Sequence, residues 1–409
     1  MKPYSIFLIV ACLLCPAAVF AQFGNRYACP VFEEITTTTG IPFSSAVGEN
    51  QVLPTTLYLD FYEPYGDTLS ARPLVITVFG GAFVAGSRDW CDMVEYCTRF
   101  AKHGYAAAAI DYRLLPILSI SSSSLIRNAY MASQDVSSAI RYFKAYCHDY
   151  RIDTNNIFLL GNSAGSIASL NEIFMSDEER PNETYDYPDL GSINSSGYPE
   201  YFGFSSKVAG AVAQWGGVLD ANVIDFDECV PLCMIHGTED NVVPFDSGYC
   251  YSSLQLPIPI FPYMYGSSTI ADRLSDLGFD DYEFHPFEGE AHNFYSSEYG
   301  DLIMEKFDLC FNIARDFLYN HLDSHSTSGV SQYVADNVRI YPNPASDILF
   351  VELQRGERIA SITLFDMQGR IVKESKDSPV SLDHLPSGVY AVHVKDSDGR
   401  KFIQKVVVK

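Results

Sequence analysis

Ser163 is the residue whose sequence surroundings most clearly suggest chemistry. It lies in the stretch Gly161-Asn162-Ser163-Ala164-Gly165, after the apolar run 157–160 and before further small and apolar residues. Gly-x-Ser-x-Gly is common by chance, so the pattern alone decides nothing. Between a strand and a helix, however, the small residues permit a sharp turn that exposes the serine oxygen. The alternative is a tight strand-to-helix turn with an incidental serine.

Two later segments offer the base and the acid that a nucleophilic serine requires. The stretch FEGEAHNF (287–294) contains His292, and the stretch HGTEDNVVPF (236–245) contains Asp240. Each follows a predicted strand, and the chain order serine, aspartate, histidine is the one this topology requires. We therefore predict that Ser163 is the nucleophile, His292 the base and Asp240 the orienting acid.

Three other residues compete for the roles of acid and base. Glu239 is the neighbour of Asp240 and is a rival acid. His236 stands at the end of a predicted strand and is expected to brace the acid loop. His285 lies inside a predicted strand, where a packed or surface position is expected.

Acyl transfer also requires donors for the negative oxygen of the tetrahedral intermediate. The stretch VFGGAFVAGS (78–87) follows an early strand, and its paired glycines let the backbone turn its amides toward a ligand. The alternative is an ordinary Gly-Gly turn. Beside a serine at a sharp turn, we predict an oxyanion hole formed by the amides of Gly81, Ala82 and Ala164.

A metal site is a weaker interpretation of the histidines and carboxylates. His285, Glu288, Glu290 and His292 cluster in sequence. Their spacing differs from the compact helical His-x-x-x-His pattern, and a strand directs alternate side chains to opposite faces. The sequence therefore predicts neither a metal nor a cofactor.

The segments that carry these residues alternate between apolar strands and amphipathic helices, a pattern that predicts an α/β fold with a mostly parallel sheet flanked by helices. Ligands of such sheets bind beyond the carboxyl ends of the strands, where the candidate residues fall. The predicted strands are 73–81, 105–112, 157–161, 207–217, 231–237 and 282–289, and the predicted helices are 91–102, 128–147, a segment after Ser163, 268–277 and 301–321.

Composition indicates an exported globular protein. The 409 residues are 47% hydrophobic and carry a net charge of −24, which favours a sizeable core and disfavours binding to nucleic acids. Residues 1–21 have a basic start, a short apolar run and a small residue at the end, which predicts a signal peptide cleaved after Ala21. A lipoprotein box ending at Cys12 and a membrane anchor are the alternatives. No other stretch is long enough to span a bilayer.

The cysteines point to an oxidising compartment. Ten occur, of which Cys12 and Cys15 lie in the predicted signal peptide. The remaining eight suggest disulfides, whose connectivity the spacing leaves open. Cys229 and Cys233 do not form a CxxC pair, which argues against a zinc or redox site. Cys233 lies in an apolar strand pattern and is alternatively a buried thiol.

The pattern changes near residue 322. Polar and small residues without periodicity predict a linker at 322–336. Beyond it, short alternating strands separated by Asp-Gly and Pro-Ser-Gly turns predict a small all-β, sandwich-like domain at 337–409. The catalytic domain is then expected at 22–321.

Residues from about 50 to 321 resemble the α/β-hydrolase superfamily, in particular its esterases and lipases. The segments VFGGAF, AIDYRLLP, LLGNSAGS, HGTEDNVVP and EGEAHNF carry the resemblance, which implies the α/β-hydrolase fold and serine hydrolysis. The chain departs from many relatives at two positions. Phe79 replaces a common histidine, and Asn162 replaces a common aspartate or histidine. Neither group takes part in acyl transfer, so the departures bear on the subfamily and its substrate.

The C-terminal region resembles the type A sorting domain of type IX secretion. The segments YPNPASDILFVEL, LFDMQGRIV, LPSGVYAVHV and KFIQKVVVK carry this resemblance. It implies recognition by the type IX secretion machinery, passage through the periplasm and outer membrane of a Gram-negative bacterium, removal of the tail, and release or surface attachment. A small β-sandwich binding module is the alternative.

The predicted function is that of an exported carboxylic ester hydrolase acting through an acyl-enzyme. A serine peptidase of the prolyl-oligopeptidase type is one alternative, although the segment before the catalytic domain is short for the extra domain those enzymes need. A non-catalytic surface binding protein that keeps the fold is the other. Two inserts, 173–206 and 246–266, are expected to border the cleft. The second is rich in aromatic and apolar residues and suggests an apolar acyl or aryl pocket, or a loop that packs on its own domain.

Overall fold

The computed structural model describes residues 26–254, 260–297, 299–322, 338–353, 358–365, 371–396 and 401–409. The chain divides into two compact units, Met1–Ser326 and Thr327–Lys409, so the division falls inside the predicted linker. The predicted signal peptide, and the predicted linker beyond residue 322, lie outside the described residues.

The first unit is built on an eight-stranded sheet. Its strand order is β1-β2-β4-β3-β5-β6-β8-β11, with antiparallel pairing from β1 through β4 and parallel pairing from β4 to β11. The predicted α/β class, with a mostly parallel sheet, is confirmed. The strands are β1 Ile35–Val47, β2 Pro54–Pro64, β3 Arg72–Val78, β4 Ala106–Ile110, β5 Ile152–Asn162, β6 Gly210–Gln214, β8 Leu232–Gly237 and β11 Tyr282–Phe287.

The central strands β3, β4, β6 and β8 are buried along their whole length, because helices cover both faces of this sheet. Each predicted helix is present, with bounds that differ by a few residues. The helices are α1 Cys91–His103, α2 Ser122–Ala145, α3 Cys147–Tyr150, α4 Ala164–Phe174, α5 Ser267–Asp276 and α6 Met304–Asn320. Short 3₁₀ turns occupy Ile117–Ser119, Asn182–Tyr185, Pro199–Tyr201, Ala221–Val223, Phe226–Glu228 and Ser252–Leu254.

Helix α2 begins six residues before its predicted start. The Ser121 hydroxyl accepts a hydrogen bond from the Ser124 amide at 3.1 Å, and the Ser124 hydroxyl accepts one from the Ser121 amide at 2.8 Å. This is a capping box with serine at its third helical position. The polar run of four serines conceals the start of the helix from a search for apolar periodicity.

The two antiparallel strands β1 and β2 were absent from the sequence-based prediction. Strand β1 lies at the sheet edge. Most of its first eight residues are exposed, including the threonines at 36–39. An exposed edge strand does not need apolar alternation, so no period-2 pattern marks it.

The two inserts have different structures. The insert at 173–206 is largely irregular and is tied to α2, where Arg127 and Gln134 donate hydrogen bonds to backbone carbonyls between residues 183 and 192. The insert at 246–266 contributes two strands to a small antiparallel sheet of order β7-β10-β9. These strands are β7 Gly217–Val218, β9 Ser247–Tyr249 and β10 Tyr263–Gly266.

The second unit consists of two small antiparallel sheets, as predicted for an all-β region. The orders are β12-β13-β16 and β15-β14-β17-β18. Alternate side chains of β13 and β14 are buried and contribute to a core that is separate from that of the first unit. The strands are β12 Val338–Tyr341, β13 Ile348–Leu353, β14 Ile359–Phe365, β15 Ile371–Ser375, β16 Val380–Ser381, β17 Gly388–Asp396 and β18 Lys401–Val408.

The eight cysteines after the predicted signal peptide are all free thiols in the structure. The disulfide prediction therefore stays a prediction. Cys233 is completely buried, which matches the alternative of a buried thiol. Within the described part of the chain, no helix combines the length and apolar character needed to cross a membrane.

Candidate active site

Ser163 sits on a sharp turn between β5 and α4. Its backbone has φ 50° and ψ −120°, a conformation that is costly for a residue with a side chain. The flanking glycines are required by contact distances. A Cβ atom on Gly161 would lie 2.5 Å from the carbonyl oxygen of Gly165, and one on Gly165 would lie 2.1 Å from that of Val78. The turn thus presents the serine hydroxyl beyond the carboxyl end of β5, as predicted from the sequence.

The structure brings the three predicted triad residues together. His292 Nε2 lies 2.9 Å from Ser163 Oγ, and His292 Nδ1 lies 2.7 Å from Asp240 Oδ2. A carboxylate only accepts hydrogen bonds, so Nδ1 carries the proton and the neutral ring leaves Nε2 free to accept from the serine hydroxyl. This is the protonation state in which a histidine can act as a general base toward Ser163.

Asp240 accepts four hydrogen bonds. Its Oδ1 accepts from the amides of Val242 and Val243 at 2.8 and 3.0 Å, and its Oδ2 accepts from His292 and, at 3.1 Å, from Nε2 of His236. Burial raises the pKa of Asp240, but the hydrogen bonds from His236 and His292 outweigh burial and hold the pKa at about 2. The group is therefore an anion across the ordinary pH range.

The three rival residues lie outside the hydrogen-bonded chain Ser163–His292–Asp240. Glu239 is exposed and makes no side-chain hydrogen bond to the described residues. His236 is completely buried, donates to Asp240 and accepts at Nδ1 from the Ser267 hydroxyl at 2.8 Å, so it braces the acid as expected. His285 is half-buried on β11, and its Nε2 lies 3.0 Å from a carboxylate oxygen of Glu283.

The loop after β3 faces the same space as Ser163. Gly81, Ala82 and Phe83 all have positive φ, at 109°, 54° and 62°. Among the described residues, the amides of Gly81 and Ala82 have no acceptor. The Ala164 amide belongs to the first turn of α4, where amides lack an acceptor within the helix. Three amides at the positions predicted for an oxyanion hole are thus available to a ligand.

Tyr112 holds this loop in place and was missed by sequence reasoning. Its hydroxyl lies 3.1 Å from the carbonyl oxygens of Phe79 and Gly80, and its ring stacks on Phe79 at a centroid distance of 4.3 Å. The segment AIDYRLLP contains Tyr112, but nothing in its spacing shows that the side chain returns to the neighbouring loop.

Family models match two parts of the chain. Residues 59–197 match the family described as BD-FAE, and residues 339–409 match the secretion system C-terminal sorting domain. The first match spans the loop after β3 and the serine turn. The first unit thus contains a stretch that is similar to the BD-FAE family. The C-terminal region is a type IX sorting domain, which indicates export to the exterior or the cell surface of a Gram-negative bacterium.

Curated relatives match this chain over short stretches. A probable isoprenylcysteine alpha-carbonyl methylesterase of Arabidopsis thaliana is 32% identical over 108 residues, which is 26% of this chain and 20% of the relative. One from Oryza sativa subsp. japonica is 34% identical over 123 residues, 28% of this chain and 27% of the relative. The match thus spans about a quarter or less of the length of these relatives.

Solved structures that are similar to part of this chain include an esterase of the Planctomycetes species Thermogutta terrifontis. Its propionate-bound form has a TM-score of 0.46 and 23% identity, and covers 65% of this chain and 90% of that chain. Its form phosphorylated by paraoxon has a TM-score of 0.46 and 22% identity, and covers 68% of this chain and 95% of that chain.

A pocket lies beside Ser163 in the first unit. Its described lining carries no charged side chain, and burial raises the pKa of its Cys250 thiol to about 12. Ala82 and Ala164 belong to the lining, whereas Gly81 and His292 do not. The remaining lining residues are Phe83, Leu125, Ile126, Ala129, Ser163, Ile167, Leu219, Val242, Val243, Cys250, Tyr251, Phe261, Pro262 and Met264.

A second buried arrangement is attached to the serine turn through Asn162. The Asn162 side-chain amide donates to Asp92 Oδ2 at 2.7 Å and to the Tyr295 hydroxyl at 3.0 Å. The Tyr295 hydroxyl lies 3.2 Å from Asp92 Oδ2 and 3.3 Å from Gln214 Oε1. Sequence reasoning found none of these contacts, because the partners of Asn162 are 70 and 133 residues away in the chain.

One group of possible metal ligands occurs among the described residues. Cys233, Glu283 and His285 bring their ligand atoms within 4.8 Å of one another, on strands β8 and β11. The group contains no member of the triad. It also omits Glu288, Glu290 and His292, the other members of the cluster considered from the sequence.

We predict that Asp240 makes the stability of the first unit depend on acidity. Its pKa is lower in the folded chain (about 2) than its ordinary value of 3.8, so ionised Asp240 stabilises the fold above pH 4, and this contribution is lost as the pH falls toward 2. Between pH 4 and pH 2 the wild type should lose about 2 kcal/mol more free energy of unfolding than Asp240→Asn.

Urea unfolding at a series of pH values measures this difference. Glu239→Gln is the matched control, because Glu239 is exposed and contacts neither histidine; it should keep the wild-type pH profile. Identical pH profiles for the wild type and Asp240→Asn would contradict the prediction.

Proposed function

We propose that this protein hydrolyses carboxylic esters through a Ser163–His292–Asp240 triad and an acyl-enzyme. The observation that carries the proposal is the continuous hydrogen-bonded chain from Ser163 Oγ through His292 to Asp240, beside backbone amides without acceptors. The BD-FAE match and the esterase names of the curated relatives support the same reaction class.

In the first half of the proposed reaction, Ser163 Oγ attacks the ester carbonyl carbon while His292 Nε2 takes the hydroxyl proton. The carbonyl oxygen becomes negative and accepts hydrogen bonds from the amides of Gly81, Ala82 and Ala164. The anionic Asp240 stabilises the imidazolium that forms. His292 then gives its proton to the leaving alcohol oxygen, and the acyl group remains on Ser163.

In the second half, water replaces the alcohol. His292 takes a proton from the water as its oxygen attacks the acyl carbon, and returns that proton to Ser163 Oγ when the acid leaves. Every proton in this cycle moves through His292 Nε2, and no cofactor takes part.

The apolar pocket is proposed to hold the acyl half of the ester. The leaving alcohol must lie next to His292, because it receives its proton there. The pocket includes Ser163 and the oxyanion residues Ala82 and Ala164 but not His292, so it lies on the other side of the carbonyl carbon. Its uncharged lining favours an apolar acyl or aryl group.

Export through the type IX route is proposed to proceed by recognition of the C-terminal region at the outer membrane, followed by its removal. The mature hydrolase is then released or attached to the cell surface. The sorting-domain match at residues 339–409 supports this route.

We predict that Ser163→Ala lowers kcat/KM for p-nitrophenyl butyrate by about 10³-fold or more, because the nucleophile is lost. Labelling by a fluorophosphonate probe should be lost as well. Ser275→Ala, at an exposed serine of α5, is the matched control and should behave as the wild type. Residual activity within tenfold of wild type would rule out Ser163 as the nucleophile. Faster cleavage of dipeptide anilides than of esters would favour a peptidase.

We predict that the wild type prefers p-nitrophenyl hexanoate to acetate by tenfold or more in kcat/KM, since each buried methylene contributes up to about 0.8 kcal/mol. Leu219→Trp should fill the pocket and reduce hydrolysis of hexanoate much more than that of acetate. Leu309→Trp, at a half-exposed leucine of α6 outside the pocket, is the control. An unchanged chain-length profile in Leu219→Trp would show that the acyl chain lies elsewhere.

We predict that a chain ending at Ser328 keeps kcat/KM within twofold of full length, because each unit has its own buried core. In a host with type IX secretion, the shortened chain should accumulate in the periplasm. Full-length Ser163→Ala is the control, since it should be exported although inactive. A large loss of kcat/KM on truncation would mean that the C-terminal unit helps to bind substrate, and export of the shortened chain would refute the sorting role.

A further inference from the structure

A buried polar cluster joins the separate parts of the active site. We call the side chains of Asp92, Asn162, Gln214 and Tyr295 the Asp92 cluster. They are between 0 and 6% exposed, and hydrogen bonds of 2.7–3.3 Å connect them. None of them belongs to the triad or lines the apolar pocket.

Each member of the cluster is attached to a different functional segment. Asp92 lies in the first turn of α1, the helix that follows the oxyanion loop. Asn162 directly precedes Ser163, and Tyr295 follows His292 by three residues. The backbone carbonyl of Gln214 accepts a hydrogen bond from the Ser163 amide at 2.9 Å. One cluster therefore connects the segments that carry the oxyanion amides, the nucleophile and the base.

The Asp92 carboxyl is buried, and no cation from the described residues lies beside it. Its oxygens accept from the Asn162 amide, the Tyr295 hydroxyl and the backbone amide of Met93, all of them neutral donors. Burial raises the pKa of Asp92 despite these hydrogen bonds. A buried carboxyl that bonds only to neutral donors stabilises a core poorly. Its contribution is therefore the geometry that it imposes on the segments bonded to it.

We propose that Asp92, Asn162 and Tyr295 are positioning residues that keep the oxyanion loop, Ser163 and His292 in register for catalysis. This inference rests on the proposed ester hydrolysis, and the three residues act through Ser163 and His292 without touching the substrate. The Tyr295 hydroxyl is the central contact, because it accepts from Asn162 and is close enough to donate to either Asp92 or Gln214.

The first test removes one oxygen atom. Tyr295→Phe keeps the aromatic packing of the ring against Trp215 and Phe307 but deletes the hydroxyl. We expect kcat for p-nitrophenyl butyrate to fall about tenfold with KM within twofold, since a small displacement of the base slows the chemical step more than it weakens binding. Tyr130→Phe is the matched control, because it also deletes the hydroxyl of a buried tyrosine, one that donates to the Gly191 carbonyl in the first insert.

The second test exchanges the two ends of the shortest hydrogen bond in the cluster. Asn162→Asp alone sets a second carboxyl against Asp92 and should lower kcat more than Tyr295→Phe does. The double variant Asp92→Asn with Asn162→Asp restores one amide–carboxyl pair, and kcat should recover at least fivefold from the Asn162→Asp value. Non-additivity of this kind reports direct coupling between the two positions.

The outcomes separate this inference from the proposed function. An active, fluorophosphonate-labelled wild type with kcat unchanged in Tyr295→Phe would overturn the positioning role and leave the esterase proposal intact. A loss of kcat in Tyr295→Phe that Tyr130→Phe reproduces, with an equal fall in melting temperature, would reduce the cluster to a structural role and overturn the inference. A wild type that hydrolyses no ester would overturn both.

Discussion

The close approach of α4 to the ends of β3 and β5 is the constraint on which the active site depends. Because the backbone of α4 passes so near Val78 and Gly161, no side chain fits at Gly165, and the chain between them must turn within a few residues. That turn forces Ser163 to a positive φ and raises its hydroxyl above the sheet. The same approach sets the Ala164 amide beside the loop that follows β3. The positions of the proposed nucleophile and of one proposed oxyanion donor, Ala164, thus follow from a single packing contact.

The electrostatics of the site depend on Asp240. Two histidines on different strand ends donate to one carboxylate oxygen, and two backbone amides donate to the other. The Ser267 hydroxyl donates to His236, so Asp240 is held in place independently of His292. This arrangement keeps the charge on Asp240 and fixes the tautomer of His292, because a carboxylate can only accept. A base with a free Nε2 is the result.

The pocket and the Asp92 cluster share no residue and have opposite character. The pocket is apolar and open to a ligand, and helix α2 and the second insert contribute half of its lining residues. The cluster is polar, closed and buried beneath the turn. This difference is expected. The transfer of an apolar group out of water is favourable, whereas buried polar groups are stable only when they form hydrogen bonds with one another. Under the proposed function, selection of the substrate and alignment of the reacting groups belong to different parts of the fold.

Local sequence patterns determined the central strands, the helices and the triad candidates. Apolar runs, the Gly-x-Ser-x-Gly turn and polar residues just past strand ends are short-range signals, and the parallel sheet gathers its carboxyl ends at one edge. The sequence also favoured Asp240 over Glu239 as the partner of His292, and the structure shows that contact. Only the tertiary structure decided that Tyr112 holds the loop after β3, and that Asp92 and Tyr295 meet Asn162. These contacts join residues far apart in the chain, and side-chain direction at a loop depends on packing that no local period encodes. Strand β1 was not predicted, because an exposed edge strand needs no apolar pattern.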